Sequence, residues 1–151
     1  MSARSVTHAT FTVERTYGAS PARVFAAWAE PEAKARWFAR AEGWDTTEYE
    51  LDFRVGGSEL FRGRPKDGPL IAYDAVFQDI VPEKRIVYSY AMTSDGQRIS
   101  VSVATVQLNA DGNGTRLVLT EQGAFLDGLE TAESREHGTG GLLDALRAEL
   151  E

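Results

Sequence analysis

Residues 20–38 read Ser20-Pro21-Ala22-Arg23-Val24-Phe25-Ala26-Ala27-Trp28-Ala29-Glu30-Pro31-Glu32-Ala33-Lys34-Ala35-Arg36-Trp37-Phe38. Ser20 is a good helix cap, because its side-chain oxygen can take up an orphan N–H. Pro21 is a good first helical residue, because its missing donor costs nothing there. Pro31 cannot continue that helix and pushes Glu30 out of the helical region, yet it can open a second helix with Glu32 in its first turn. The stretch therefore predicts two short helices meeting near Glu30. Val24, Phe25 and Trp28 in the first, and Ala33, Trp37 and Phe38 in the second, recur at three- and four-residue spacing. Each helix carries one apolar stripe, and stripes so short and aromatic need something large to pack on.

The flanking sequence supplies it as strands. Upstream, Phe11, Val13 and Tyr17 alternate with Thr10, Thr12, Glu14 and Thr16, the period of a strand with one buried face. Arg15 interrupts the buried set and reads as a strand-end or snorkelling residue in preference to an anion contact. Downstream, residues 39–47 contain Gly43-Trp44-Asp45 in polar company and read as a loop. Trp44 there either plugs a pocket mouth or caps the core edge. From Glu48 to Val55, Tyr49, Leu51, Phe53 and Val55 face one way and Glu48, Glu50, Asp52 and Arg54 the other. Turns at Gly56-Gly57, Pro65–Pro69, Ser94–Gln97 and Asp111–Gly114 separate further strands over 58–64, 70–81, 85–92, 99–108 and 115–122. From about Glu130 to Glu151 the pattern is a long helix, striped by Leu142, Leu143, Leu146 and Leu150. Gly138, Gly140 and Gly141 compromise its first half, each costing about 0.5–1 kcal/mol relative to alanine. Either regular helix begins only near Leu142, or backbone here approaches something closely.

Composition narrows the function. At 151 residues the chain reads as one domain spanning 1–151, large enough for a real core. Twenty-three acidic against sixteen basic residues give a net charge of −7, which argues against nucleic acid as a partner. There is no cysteine, hence no disulfide, thiolate nucleophile or zinc–thiolate site, in keeping with a reducing compartment. No signal-peptide core or transmembrane-length apolar run occurs, so the expectation is a soluble cytoplasmic protein without membrane insertion. With His8 and His137 as the only histidines, a three-histidine metal site is impossible, and no metal or cofactor is expected. Asn109, Asp111, Asn113 and Gly114 imitate a calcium loop, but the twelfth position is Thr120, and the segment reads as a turn. Nucleophile-elbow, phosphate-loop and dinucleotide motifs are absent.

The ordered set of Ala19-Ser20-Pro21, Val24-Phe25, Ala27-Trp28, Pro31, Arg36-Trp37-Phe38, Val55-Gly56-Gly57, Pro82–Tyr88, Leu143-Asp144 and Leu146 resembles a known superfamily. It is that of the helix-grip folds: START lipid-transfer domains, Bet v 1-like plant pathogenesis-related proteins and polyketide cyclases. The closer resemblance is to the subfamily named after the activator of the heat-shock protein 90 ATPase. It implies an α+β fold, a curved antiparallel β-sheet wrapped around a long C-terminal helix, with two short helices after the first strand. It also implies a mostly apolar cavity between sheet and helix.

The function expected from this resemblance is binding of a small hydrophobic or aromatic molecule. Phe25, Trp28, Trp37, Trp44, Phe53, Phe61, Tyr73, Phe77, Tyr88, Tyr90, Phe125, His137 and Thr139 are the candidate ligand-binding residues, though at their spacing many would serve equally as core. Tyr73, Tyr88 and Tyr90 are better candidates than the phenylalanines, since a buried hydroxyl wants a partner. Aligned on Leu143-Asp144, the family's cavity-covering Gly-Trp pair falls on Gly138-Thr139, so the large side chain is missing and the pocket is roomier or differently closed. An alternative is a cyclase or hydrolase-like enzyme using His137 or Glu121 as acid or base, although a lone histidine near a helix start is more often a cap or surface residue. A third reading, a co-chaperone stimulating a chaperone ATPase, ranks lowest, because the sequence lacks the additional N-terminal domain of the eukaryotic activators. A homodimer is left open.

Overall fold

The computed structural model describes residues 4–151. Strand β1 (Val6–Tyr17) leads into helix α1 (Pro21–Ala29) and helix α2 (Pro31–Lys34), which continues as a π-helical turn over Ala35–Ala39. Six strands follow: β2 (Trp44–Leu51), β3 (Ser58–Pro65), β4 (Ile71–Val81), β5 (Arg85–Ser94), β6 (Gln97–Asp111) and β7 (Gly114–Leu126). Helix α3 (Ala132–Leu150) closes the chain. All seven strands form one antiparallel sheet in the order β1-β7-β6-β5-β4-β3-β2. The fold is therefore α+β, a curved sheet gripping a C-terminal helix.

The helix pair forms as its caps dictate. Ser20 Oγ accepts a hydrogen bond from the Arg23 N–H at 3.2 Å, and Glu30, with φ −85° and ψ 123°, makes the corner. Val24, Ala27 and Trp28 of α1 and Ala33, Trp37 and Ala39 of the second segment are buried, so both stripes face the sheet. The concave face contributes Phe11, Val13, Tyr17, Phe61, Phe77, Ile86, Val106, Leu117 and Leu119, and α3 contributes Leu143, Leu146 and Leu150. These residues form one continuous core.

Two local expectations are corrected. Residues 44–47 are the start of β2, with Trp44 opposite Pro65 and Thr46 opposite Gly63 before a bulge at Thr47. Pairing with β3 supplies the hydrogen bonds that their loop-like composition does not advertise. Beyond Leu51 the chain leaves the sheet to turn back at Gly56, where φ is 83°, so Val55 is 57% exposed despite its place in the alternation. Gly57 is required there, since a Cβ would sit 2.1 Å from the Asp52 carbonyl oxygen.

Helix α3 runs unbroken through its glycines. Thr131 caps it by accepting from the Ser134 N–H at 3.0 Å. Of the two alternatives, close approach is the one found, and it occurs at Gly140. A Cβ there would lie 2.9 Å from Arg15 Nη2, and the Arg15 guanidinium runs on to Asp144 Oδ1 at 2.8 Å. Arg15 thus lies along the core edge and ties β1 to α3. Among the described residues, no helix is long and apolar enough to cross a membrane.

Candidate functional site

A pocket of about 590 Å³ lies between the concave sheet face, the π-turn segment and α3. Trp28, Trp37, Phe38 and Trp44 form one wall and Phe61, Tyr73, Tyr88 and Tyr90 another, while His137, Gly138, Thr139 and Leu142 of α3 form the cover. Rings meet mostly edge to face: Trp28 and Trp37 have centroids 4.9 Å apart at 69°, and Phe38 and Tyr73 have centroids 5.2 Å apart at 63°. That geometry aligns ring edges with ring faces and stiffens the wall.

Nine of the thirteen candidate residues line this pocket: Trp28, Trp37, Trp44, Phe61, Tyr73, Tyr88, Tyr90, His137 and Thr139. Trp44 is 38% exposed, with its ring 5.9 Å from Phe61. Its two proposed roles converge, since it borders both the pocket and the core edge. His137 points from an exposed helix position, whereas Thr139, two residues on and on the opposite side of the helix, is buried. The other four are structural neighbours of the pocket and not part of its wall. Phe25, Phe53 and Phe77 pack edge to face in series, at 5.6 Å and 4.9 Å, and the series reaches the pocket wall at Tyr88, 6.1 Å from Phe77. Phe125 is buried beneath the Arg135 guanidinium, 5.4 Å from its ring. Period-2 alternation places a strand residue on the concave face but does not say how far along that face the pocket extends.

The polar end of the pocket is built on Tyr90, Glu121 and Arg135. The Tyr90 hydroxyl donates to the Glu121 carboxylate, 2.8 Å from each oxygen, and accepts from Arg135 Nη1 at 2.8 Å. Arg135 Nη1 also donates to Glu121 Oε2 at 3.2 Å, while Nη2 donates to Ser100 Oγ at 2.7 Å and Glu130 Oε2 at 2.6 Å. Burial disfavours the Arg135 charge, but Tyr90, Glu130 and Glu121 outweigh it and hold the guanidinium above its ordinary value. Burial, reinforced by Glu121, likewise pushes the Tyr90 phenol up. The cluster is a charged hydrogen-bond network closed within the protein.

A second buried pair stands beside the aromatic wall. Lys34 and Glu59 are each only 1% exposed, and Lys34 Nζ donates to both Glu59 oxygens, at 3.1 Å and 3.0 Å. Tyr49 donates its hydroxyl to Glu59 Oε2 at 2.5 Å. The ammonium also sits over aromatic rings, 4.8 Å from Trp28 and 4.5 Å from Phe38, where ring quadrupoles stabilise a cation. Burial still pulls the Lys34 ammonium below the usual lysine range, with Glu59 opposing the shift.

Sequence reasoning missed Lys34, Glu59 and Arg135, although spacing carried the signal. Lys34 stands three and four residues before Trp37 and Phe38, on the apolar stripe. Arg135 stands four before Thr139 and eight before Leu143, on the same face of α3. Glu59 shares the strand parity of Phe61. A charged residue in an apolar register marks a buried pair, but its partner lies on a distant element.

Sheet order, the gripped helix and the pocket between them define a helix-grip protein. The chain belongs to the family described as Activator of Hsp90 ATPase homolog 1-like protein, whose model matches residues 18–151. It is 52% identical to Mll3558 protein from Rhizobium loti, covering 96% of this chain and 99% of that one, with a TM-score of 0.89. It is 47% identical to an uncharacterized protein from Rhizobium leguminosarum, covering 98% and 97% of the two chains, with a TM-score of 0.93. An AHSA1-like protein from Aeromonas hydrophila, 23% identical over 95% of this chain and 96% of that one, shares the fold with a TM-score of 0.71. A comparison with curated proteins found no match.

Proposed function

We propose that this protein binds a small, largely apolar or aromatic molecule in the pocket between the sheet and α3. The observation that carries the reading is the pocket itself, about 590 Å³ of space walled by tryptophan, phenylalanine and tyrosine with one polar end. Its size and its mix of apolar wall and few polar groups suit a small-molecule site. Thr139, which the resemblance aligns with the family's tryptophan, presents only a small side chain to that volume. Within this reading the ligand contacts are the nine candidates that line the pocket, together with Phe38, while Phe25, Phe53, Phe77 and Phe125 support the wall from behind.

Binding is favoured over a cyclase or hydrolase activity. Both Glu121 oxygens are engaged by Tyr90 and Arg135, so the carboxylate is spent on structure. His137 stands at an exposed position on the rim. The co-chaperone reading has the family name behind it and no feature of the site.

Native mass spectrometry of the purified protein, followed by thermal-shift titration with aromatic polyketides, fatty acids and flavonoid-like compounds, tests the proposal. A retained small-molecule mass is expected, or a stabilisation that grows with concentration to about 2.7 kcal/mol at a hundred times Kd. No added mass and no shift with any class would refute it.

A further inference from the structure

Three tyrosines line the pocket on neighbouring strands, and the protein treats them differently. Tyr90 lies between the other two, with ring centroids 4.8 Å from Tyr73 and 6.0 Å from Tyr88. Its hydroxyl is fully committed to Glu121 and Arg135. Tyr73 and Tyr88 are each 93% buried, being 7% exposed, and line the same pocket. Among the described residues neither hydroxyl has a hydrogen-bond partner. Nor are these oxygens sealed inside packed protein: the sealed, unpartnered side-chain atoms are Trp28 Nε1 and Ser102 Oγ. The two phenol oxygens therefore open into the pocket.

A buried hydroxyl without a partner is costly, and a phenylalanine at either position would avoid that cost. Burial is the largest influence on both phenols and pushes them well above the ordinary tyrosine value, so each stays protonated and offers a donor without negative charge. The charges nearby select further. Arg135 is already held by Glu121 and Glu130, so this end of the pocket sets two carboxylates against one guanidinium and repels an anion. The remaining wall, with Trp28, Trp37, Phe38 and Phe61, offers ring faces and edges.

We propose that Tyr73 and Tyr88 are the specificity donors of this pocket, and that its ligand is a neutral, mainly aromatic molecule whose carbonyl-type oxygens accept from them. This rests on the ligand-binding reading above and adds the class of ligand: polycyclic or aryl ketones are favoured over hydrocarbons of the same shape, and carboxylic acids such as fatty acids are disfavoured.

Isothermal titration calorimetry with a matched series of 9-fluorenone, fluorene and 9-fluorenone-2-carboxylate tests it on the intact chain. Fluorenone and fluorene differ by the one carbonyl oxygen. The expected result is that fluorenone binds about tenfold or more tightly than fluorene, the worth of one or two hydrogen bonds, and that the carboxylate binds more weakly than fluorenone. In the Tyr73→Phe/Tyr88→Phe variant, checked for native circular dichroism, the preference for fluorenone should vanish, and each single variant should lose part of it. Equal affinity for fluorenone and fluorene would mean that water satisfies the hydroxyls, and would overturn the proposal while leaving ligand binding intact. An undiminished preference in the double variant, or tightest binding by the carboxylate, would overturn it as well. Binding of none of the three would overturn the aryl-ketone assignment, while the ligand-binding reading itself stands or falls on the mass-spectrometric and thermal-shift tests above.

Discussion

Lys34 and Glu59 illustrate what one misplaced charge would cost. Taking both from water is expensive, and their mutual hydrogen bonds, the Tyr49 hydroxyl and the aromatic rings offset that cost only while the set is complete. Lys34→Met strands the Glu59 carboxylate in the core and should lower stability by about 3–5 kcal/mol, whereas Lys34→Met/Glu59→Leu should recover most of the loss. Urea denaturation midpoints of the two variants decide the matter; a single variant as stable as the double would show that the pair is not energetically coupled. At the pocket, Thr139 faces the space from α3. Thr139→Trp should fill that space and weaken fluorenone binding by about tenfold or more, as expected when a side chain occupies the volume a ligand needs. Unaltered affinity would mean that the ligand lies elsewhere.

At the scale of the element, α3 is the piece whose sequence argues least for its own structure. Three glycines near its middle weaken its helix propensity, so tertiary packing of Leu143, Leu146 and Leu150 and the Thr131 cap hold it. The glycines are not equivalent. A Cβ at Gly138 or Gly141 would meet nothing within 4 Å. Gly138→Ala and Gly141→Ala should each raise stability by about 0.5–1 kcal/mol, since alanine loses less backbone entropy in a helix. Gly140→Ala should not show that gain, because its methyl group displaces Arg15 from Asp144. Thermal denaturation of the three variants checks the order, and an equal gain at all three would remove the close-packing explanation for Gly140. In the π-helical turn Ala35–Ala39, the widened spacing accompanies burial of both Lys34 and Trp37 beside the pocket.

The whole molecule carries a titration signature of its interior. All five tyrosines, Tyr17, Tyr49, Tyr73, Tyr88 and Tyr90, have burial as the leading cause of a pKa above the ordinary value. In the unfolded chain they ionise near pH 10, so above that pH the folded state holds more protons than the unfolded one. This contribution to stability is fully present below about pH 10 and is lost as pH rises further, by about 1.4 kcal/mol per pH unit for each tyrosine still protonated in the fold. Urea midpoints measured between pH 8 and pH 11.5 should fall steeply past pH 10. A flat profile would show that these phenols ionise as freely in the fold as outside it.

The order of elements, the cap at Ser20, the corner at Glu30, the turns, and the faces that Phe61, Tyr73, Tyr88 and Tyr90 present are legible in the residues alone, because these follow from local sterics and from periods of two and 3.6 residues. Trp44 to Thr47 escaped that reading because a partner strand, and not local composition, makes them a strand. That Lys34 meets Glu59, that Arg135 meets Tyr90 and Glu121, and that Phe25, Phe53, Phe77 and Phe125 back the pocket instead of lining it emerges only in the folded chain. Those outcomes depend on sheet curvature and on where α3 crosses the sheet, which bring together residues 14 to 45 positions apart in the chain. A side chain's own spacing tells which face it takes, but only the fold tells what waits there.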